Sequence, residues 1–127
     1  MILGIGCDII ELKRVERLLS ERAKADRIFT EAEQRYCDSR GAERIASYAG
    51  RFAVKEAVAK AFGCGIGAVS WADIEVVNQP DGVPSVRFYG EAARLAGSRD
   101  RSRMHISLSH GRDYATANAV WEGGDNG

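Results

Sequence analysis

RFAVKEAVAKAFGCGIG, residues 51–67, reads as the second half of a buried helix running into a glycine-rich loop. Ala53, Ala57, Ala59 and Ala61 are strong helix formers, and Gly63 is a natural stop. Ile45, Ala49, Phe52, Glu56, Ala59 and Gly63 fall on one stripe at helical spacing. That stripe carries a carboxylate, Glu56, with Lys60 one turn further on and Arg51 and Lys55 close by. Beyond it, Gly63, Gly65 and Gly67 alternate with Cys64 and Ile66. A carboxylate at a core edge, flanking cations and an open loop are the parts of a metal-assisted phosphate site. A Glu56–Lys60 pair on a solvated face, worth roughly 0.3 kcal/mol, accounts for the same residues. The stretch alone does not choose between the two.

Working towards the N-terminus, Arg44 to Phe62 completes the long helix and Gly41 breaks the chain before it. Thr30-Glu31-Ala32-Glu33 is a capping box that opens a short helix to about Ser39, with Tyr36 and Cys37 expected in the core. Glu11 to about Ala25 is predicted as one amphipathic helix, with Leu12, Val15, Leu18 and Leu19 inward. MILGIGCDII, residues 1–10, is predicted as a buried strand in which Gly4 and Gly6 allow close backbone approach. Asp8 stands out in that apolar run. A buried carboxylate needs a partner, so Asp8 is a metal ligand, an ion pair or the cap of the following helix.

Towards the C-terminus, Trp71 to Asn78 and Pro84 to Tyr89 flank a Gln79-Pro80-Asp81-Gly82 turn and form a hairpin. Glu91 to Ala96 is a short helix. Met104 to Ser109 alternates, with Met104, Ile106, Leu108 and His110 on one face. Tyr114 to Trp121 is the last strand, carrying Ala115, Ala117 and Ala119 on one side. The expected class is α+β: an antiparallel-rich sheet packed against the long buried helix. Residues 1–122 are expected to form one domain and 123–127, GGDNG, a disordered tail.

Lys plus Arg equals Asp plus Glu at 18 each over 127 residues, which argues against a general nucleic-acid binder. The cations still cluster. Lys13, Arg14, Arg17, Arg22, Lys24 and Arg27 outnumber the acids between residues 11 and 27. Such patches suit an acidic protein or an anionic small molecule, and solvated helix faces also look this way. Cys7, Cys37 and Cys64 form no paired motif, as expected of reduced thiols in a cytoplasmic protein. No apolar run is long enough to span a membrane. Asp8 and Glu56 together are the minimum protein ligand set for Mg²⁺ when substrate oxygens and waters complete the shell. The glycine loop is not a P-loop, because it closes a helix instead of opening one and no GK[ST] follows.

Three stretches, GIGCDIIELKRVER (4–17), RFAVKEAVAKAFGCGIG (51–67) and ISLSHGRDYATA (106–117), resemble the holo-acyl-carrier-protein synthases, the short-chain bacterial 4'-phosphopantetheinyl transferases. The resemblance covers essentially the whole chain. It implies a 4'-phosphopantetheinyl transferase-like fold and Mg²⁺-dependent transfer of the phosphopantetheine arm of coenzyme A to a serine of acyl carrier protein, in fatty acid biosynthesis. It implies that Asp8 and Glu56 bind the metal, and that Lys60 and Arg51 lie near the coenzyme A phosphates. Gly63 and Gly65 would shape the coenzyme A groove, with Ser109 and His110 near the adenosine end. Arg14 would receive the carrier protein. Glu56 and Lys60 are the candidate catalytic residues; Glu56 or a metal-bound water would take the serine proton. Family members are typically homotrimers with active sites between subunits. A nucleotide-binding module or a small Mg²⁺-dependent nucleotide hydrolase are the competing readings, separated by metal and acceptor dependence.

Overall fold

The computed structural model describes residues 1–124. The chain runs β1 (Ile2–Glu11), α1 (Leu12–Leu19), α2 (Arg22–Ile28), α3 (Glu31–Asp38), α4 (Arg44–Ala61), β2 (Ile74–Asn78), β3 (Pro84–Phe88), α5 (Gly90–Gly97), β4 (Arg103–His110) and β5 (Tyr114–Glu122). Short 3₁₀ turns occupy Gly41–Glu43 and Trp71–Asp73. The architecture is α+β, as expected. The antiparallel strands form two sheets, β1-β5-β4 and the separate hairpin β2-β3.

The long helix α4 lies across the three-stranded sheet, and two glycines decide how closely. A Cβ on Gly4 would stand 1.9 Å from the Ala61 carbonyl oxygen, and one on Gly6 would stand 1.9 Å from that of Ala57. No side chain fits in that space, so β1 meets the helix backbone directly. Ala115, Ala117 and Ala119 of β5 are fully buried and keep the next strand close to the same helix. Replacing Gly6 by Ala is expected to destabilise the protein by about 3 kcal/mol or more, because the obstacle is backbone on both sides. A urea melt of Gly6→Ala superposing on the wild-type curve would contradict the close approach.

Several expected boundaries shift. The helix expected over Glu11 to Ala25 is two helices, because Ser20 closes α1 through its hydroxyl to the Arg17 carbonyl (2.6 Å) and Glu21 turns extended. β1 instead continues through Glu11. The strand expected from Trp71 starts at Ile74, after the 3₁₀ turn. The capping box is present in full: Thr30 Oγ1 accepts from Glu33 N, and Glu33 Oε1 accepts from Thr30 N. Within the expected tail, Gly123 and Gly124 donate backbone bonds to Met1 and Asp100 (2.8 and 3.0 Å). Residues 125–127 lie outside the described residues.

The larger correction concerns α4 itself. The helix is buried nearly all round, including Tyr48 through Lys55, and a single apolar stripe does not describe it. Lys55, grouped with the flanking cations on sequence, is completely buried and pairs with the equally buried Glu33 at 2.8 Å. Its ammonium also donates to the carbonyls of Trp71 (3.0 Å) and Ile74. Glu33 Oε2 accepts from Val76 N at 2.8 Å, so one ion pair ties α3 and α4 to the hairpin. Burial pushes the Lys55 ammonium pKa down, and the Glu33 carboxylate pushes it back up. Glu56, by contrast, is half-buried at the helix edge.

Candidate active site

Asp8 faces the helix side of β1, because strand side chains alternate and Gly4 and Gly6 occupy that face. Lys60 reaches it from the last turn of α4, with Nζ 3.5 Å from Asp8 Oδ1 and donating a hydrogen bond to the Cys7 carbonyl oxygen at 2.9 Å. The Asp8 side chain is 18% exposed and that of Lys60 51%. They open onto a cavity of about 410 Å³, also lined by Cys7, Ile9, Thr116 and Asn118. Glu56 lies one turn before Lys60 on the same side of α4. No Glu56–Lys60 ion pair forms among the described residues. Lys60 goes to Asp8, and Glu56 Oε1 accepts from the Trp71 indole N–H at 3.2 Å.

Arg51 serves a different cavity. It lies nine residues before Lys60, about two and a half turns, so the two side chains leave opposite sides of α4. Arg51 is 6% exposed, stacks over the Tyr36 ring at 4.2 Å and donates from Nη2 to Asn78 Oδ1 at 2.6 Å. Its buried Nε finds no acceptor. With Arg40, Glu43, Ser47 and His110 it lines a cavity of about 320 Å³, and His110 Nε2 lies 3.7 Å from Glu43 Oε2. Ser109 does not share this cavity. It points from the outer face of β4 and pairs across the sheet with Thr116, which lines the Asp8–Lys60 cavity.

Gly63 and Gly65 adopt positive φ (84° and 70°), and the loop returns N–H groups to the helix end: Gly63 to Lys60 O, Cys64 and Gly65 to Ala59 O. Those donors serve helix termination. Arg14 is exposed on α1 beside exposed Lys13 and Arg17, a basic face clear of both cavities. Sequence reasoning missed Trp71 and Lys55. No local pattern marks either residue, since their partners lie 15 and more positions away.

The donor set fits a hard divalent cation. Among the described residues no cluster of three or more His, Cys, Asp or Glu could hold a metal alone. Asp8, paired with Lys60, and Glu56, one turn before Lys60 on α4, offer hard oxygen ligands of the type that suits Mg²⁺ when substrate oxygens complete the shell.

Residues 4–119 match the model of the 4'-phosphopantetheinyl transferase superfamily. A holo-[acyl-carrier-protein] synthase of Koribacter versatilis is 42% identical over 125 residues, covering 96% of this chain and 99% of that protein. The Oceanobacillus iheyensis protein of the same name is 45% identical, covering 96% and 98%. Among solved structures, the Bacillus anthracis holo-(acyl-carrier-protein) synthase in complex with CoA (3',5'-ADP) superposes with a TM-score of 0.81 at 40% identity, covering 98% of this chain and 99% of that one. The Neisseria meningitidis synthase superposes with a TM-score of 0.86 at 38% identity, covering 96% and 99%. The chain belongs to the 4'-phosphopantetheinyl transferase superfamily, among the holo-acyl-carrier-protein synthases.

Proposed function

We propose that this phosphopantetheinyl transferase moves the 4'-phosphopantetheine group from coenzyme A to a serine of apo acyl carrier protein, releasing adenosine 3',5'-bisphosphate, with Mg²⁺, in cytoplasmic fatty acid biosynthesis. The observation that carries the reading is the Asp8–Lys60 pair at 3.5 Å, with Glu56 one turn away on the same helix. Asp8 and Glu56 would hold the metal. Bound there, Mg²⁺ would neutralise charge on the coenzyme A pyrophosphate. Lys60, half exposed at the cavity mouth, would bind the leaving bisphosphate as its charge develops. The unpaired Arg51 Nε supports a second anionic contact, since a buried N–H without an acceptor is rare. His110, lining the same cavity, would lie towards the adenosine end.

A homotrimer with shared sites belongs to this reading. The two cavities open on opposite sides of α4, so one chain does not close around a single ligand with both. Ile5 and Ile9 expose 70% and 62% of their surface on the outer face of β1. An apolar strand face of that kind favours a partner subunit. No helix is long and apolar enough to cross a membrane.

The test is mass spectrometry of an apo carrier protein incubated with coenzyme A, with and without Mg²⁺. The expected result is a mass gain of one phosphopantetheine group only where Mg²⁺ is present. Unmodified carrier protein across several acceptors would overturn the transferase reading. Product release from coenzyme A without an acceptor would favour a hydrolase. For the docking face, Arg14→Glu is expected to raise the KM for carrier protein about tenfold and to leave the KM for coenzyme A unchanged. Equal changes in both constants would remove Arg14 from the docking surface.

A further inference from the structure

The transferase reading leaves Trp71 without a role, yet Trp71 is the residue that holds Glu56. Its indole N–H donates to Glu56 Oε1 at 3.2 Å. Among the described residues Glu56 Oε2 carries no hydrogen bond. A carboxylate anchored through one oxygen presents the other in a fixed direction. Trp71 is itself fixed at two further points. Its carbonyl accepts from the buried Lys55 ammonium at 3.0 Å, and that ammonium is held by Glu33 at 2.8 Å. Its ring lies 6.1 Å from that of Phe52, tilted by 33°.

We infer that Trp71 is a positioning residue for the metal-binding carboxylate: the Glu33–Lys55 ion pair fixes the Trp71 backbone, and the Trp71 indole fixes Glu56 with Oε2 free for the cation. The inference rests on the transferase reading and deepens its account of the metal site. Neighbouring residues on a helix do not normally share a task, because they leave it about 100° apart. Here adjacent Lys55 and Glu56 do, through the two ends of one tryptophan. Lys55 takes the carbonyl inside the core, and Glu56 takes the indole at the helix edge. Groups that orient a ligating carboxylate typically change metal affinity 10- to 100-fold when removed, by order of magnitude.

The experiment uses full-length protein with coenzyme A and Mn²⁺ as the probe, counting free Mn²⁺ by its EPR signal. Trp71→Phe removes the N–H donor and keeps a ring against Phe52. Replacing Trp71 with 3-benzothienylalanine removes the donor and keeps the indole volume. Both are expected to weaken Mn²⁺ binding about tenfold. The Mg²⁺ half-saturation of transfer should rise in parallel, while the KM for coenzyme A changes less than about twofold. The isosteric analogue keeps the proposal testable if Trp71→Phe folds poorly. An analogue that binds Mn²⁺ as tightly as wild type overturns the inference while the transferase reading stands. Wild-type protein that binds no Mn²⁺ with coenzyme A overturns both.

Discussion

Asp8→Asn is expected to lower kcat about a thousandfold, and Glu56→Gln by a similar factor, with melting temperatures within a few degrees of wild type. The two effects separate because neither residue supports the fold. Asp8 is paired only loosely, at 3.5 Å, with a lysine half exposed to solvent. Removing its charge therefore strands no buried partner. Gln at position 56 keeps an oxygen to accept the Trp71 indole, so the helix edge stays satisfied. On the proposed reading each variant would lose one anionic ligand of a two-carboxylate set, and a single remaining carboxylate binds Mg²⁺ weakly. The measurement is transfer to apo carrier protein across a Mg²⁺ titration, with thermal melts alongside. Asp8→Asn working within about tenfold of wild type at limiting Mg²⁺ would remove the metal role from Asp8.

The second large effect falls on stability. Lys55→Met should cost about 3–5 kcal/mol and lower the melting temperature by about 10–20 °C. Methionine replaces the volume of the stem and removes the charge opposite Glu33, which is also fully buried. The stranded carboxylate keeps its bonds from Thr30 N and Val76 N, but it remains an uncompensated charge in the core. The carbonyls of Trp71 and Ile74 lose their donor at the same time. Adding Glu33→Gln to Lys55→Met should recover about half of the loss, because the buried charge is gone, although the amide oxygen can accept from only one of the Thr30 and Val76 N–H groups. Calorimetry of the two single variants and the double variant closes the cycle. Additive losses would show that the pair is not coupled.

These two results separate the functions of neighbouring residues that the sequence presents alike. Reading KE at 55–56, amphipathic reasoning puts Glu56 in the core stripe and leaves Lys55 among the flanking cations. The structure does nearly the reverse, burying Lys55 completely and leaving Glu56 at the edge. The stripe assumes a helix with a solvent face. Between Tyr48 and Ala61 α4 keeps little of one, because β1 and β5 cover one side and α1, α3 and the hairpin cover others. A helix buried on most sides carries no phase information in its apolar residues. Its polar residues then sit wherever a neighbouring element supplies a counter-charge.

Elements whose signals are local were legible. The capping box at Thr30–Glu33, the hairpin turn at 79–82, the alternation of β4 and the helix stop at Gly63 all follow from interactions spanning a few residues. Gly4 and Gly6 were legible as a close approach, although not against what. Asp8 and Glu56 could be named as a pair by their chemistry and by family resemblance. The break at Ser20 was missed because a continuing amphipathic pattern outweighed one short polar side chain.

By itself, then, the sequence determined the α+β class, the family and most of the element order, since these depend on residue type and short-range spacing. Tertiary structure alone decided which lysine of the buried helix is structural and which faces the cavity. It also decided that Arg51 and His110 line a cavity on the far side of α4 from Asp8 and Lys60. The tryptophan holding Glu56 was likewise decided only in three dimensions. Each of these depends on packing between residues 15 or more positions apart, as in the Trp71–Glu56 bond and the Lys60–Cys7 bond, and no local pattern encodes such distances.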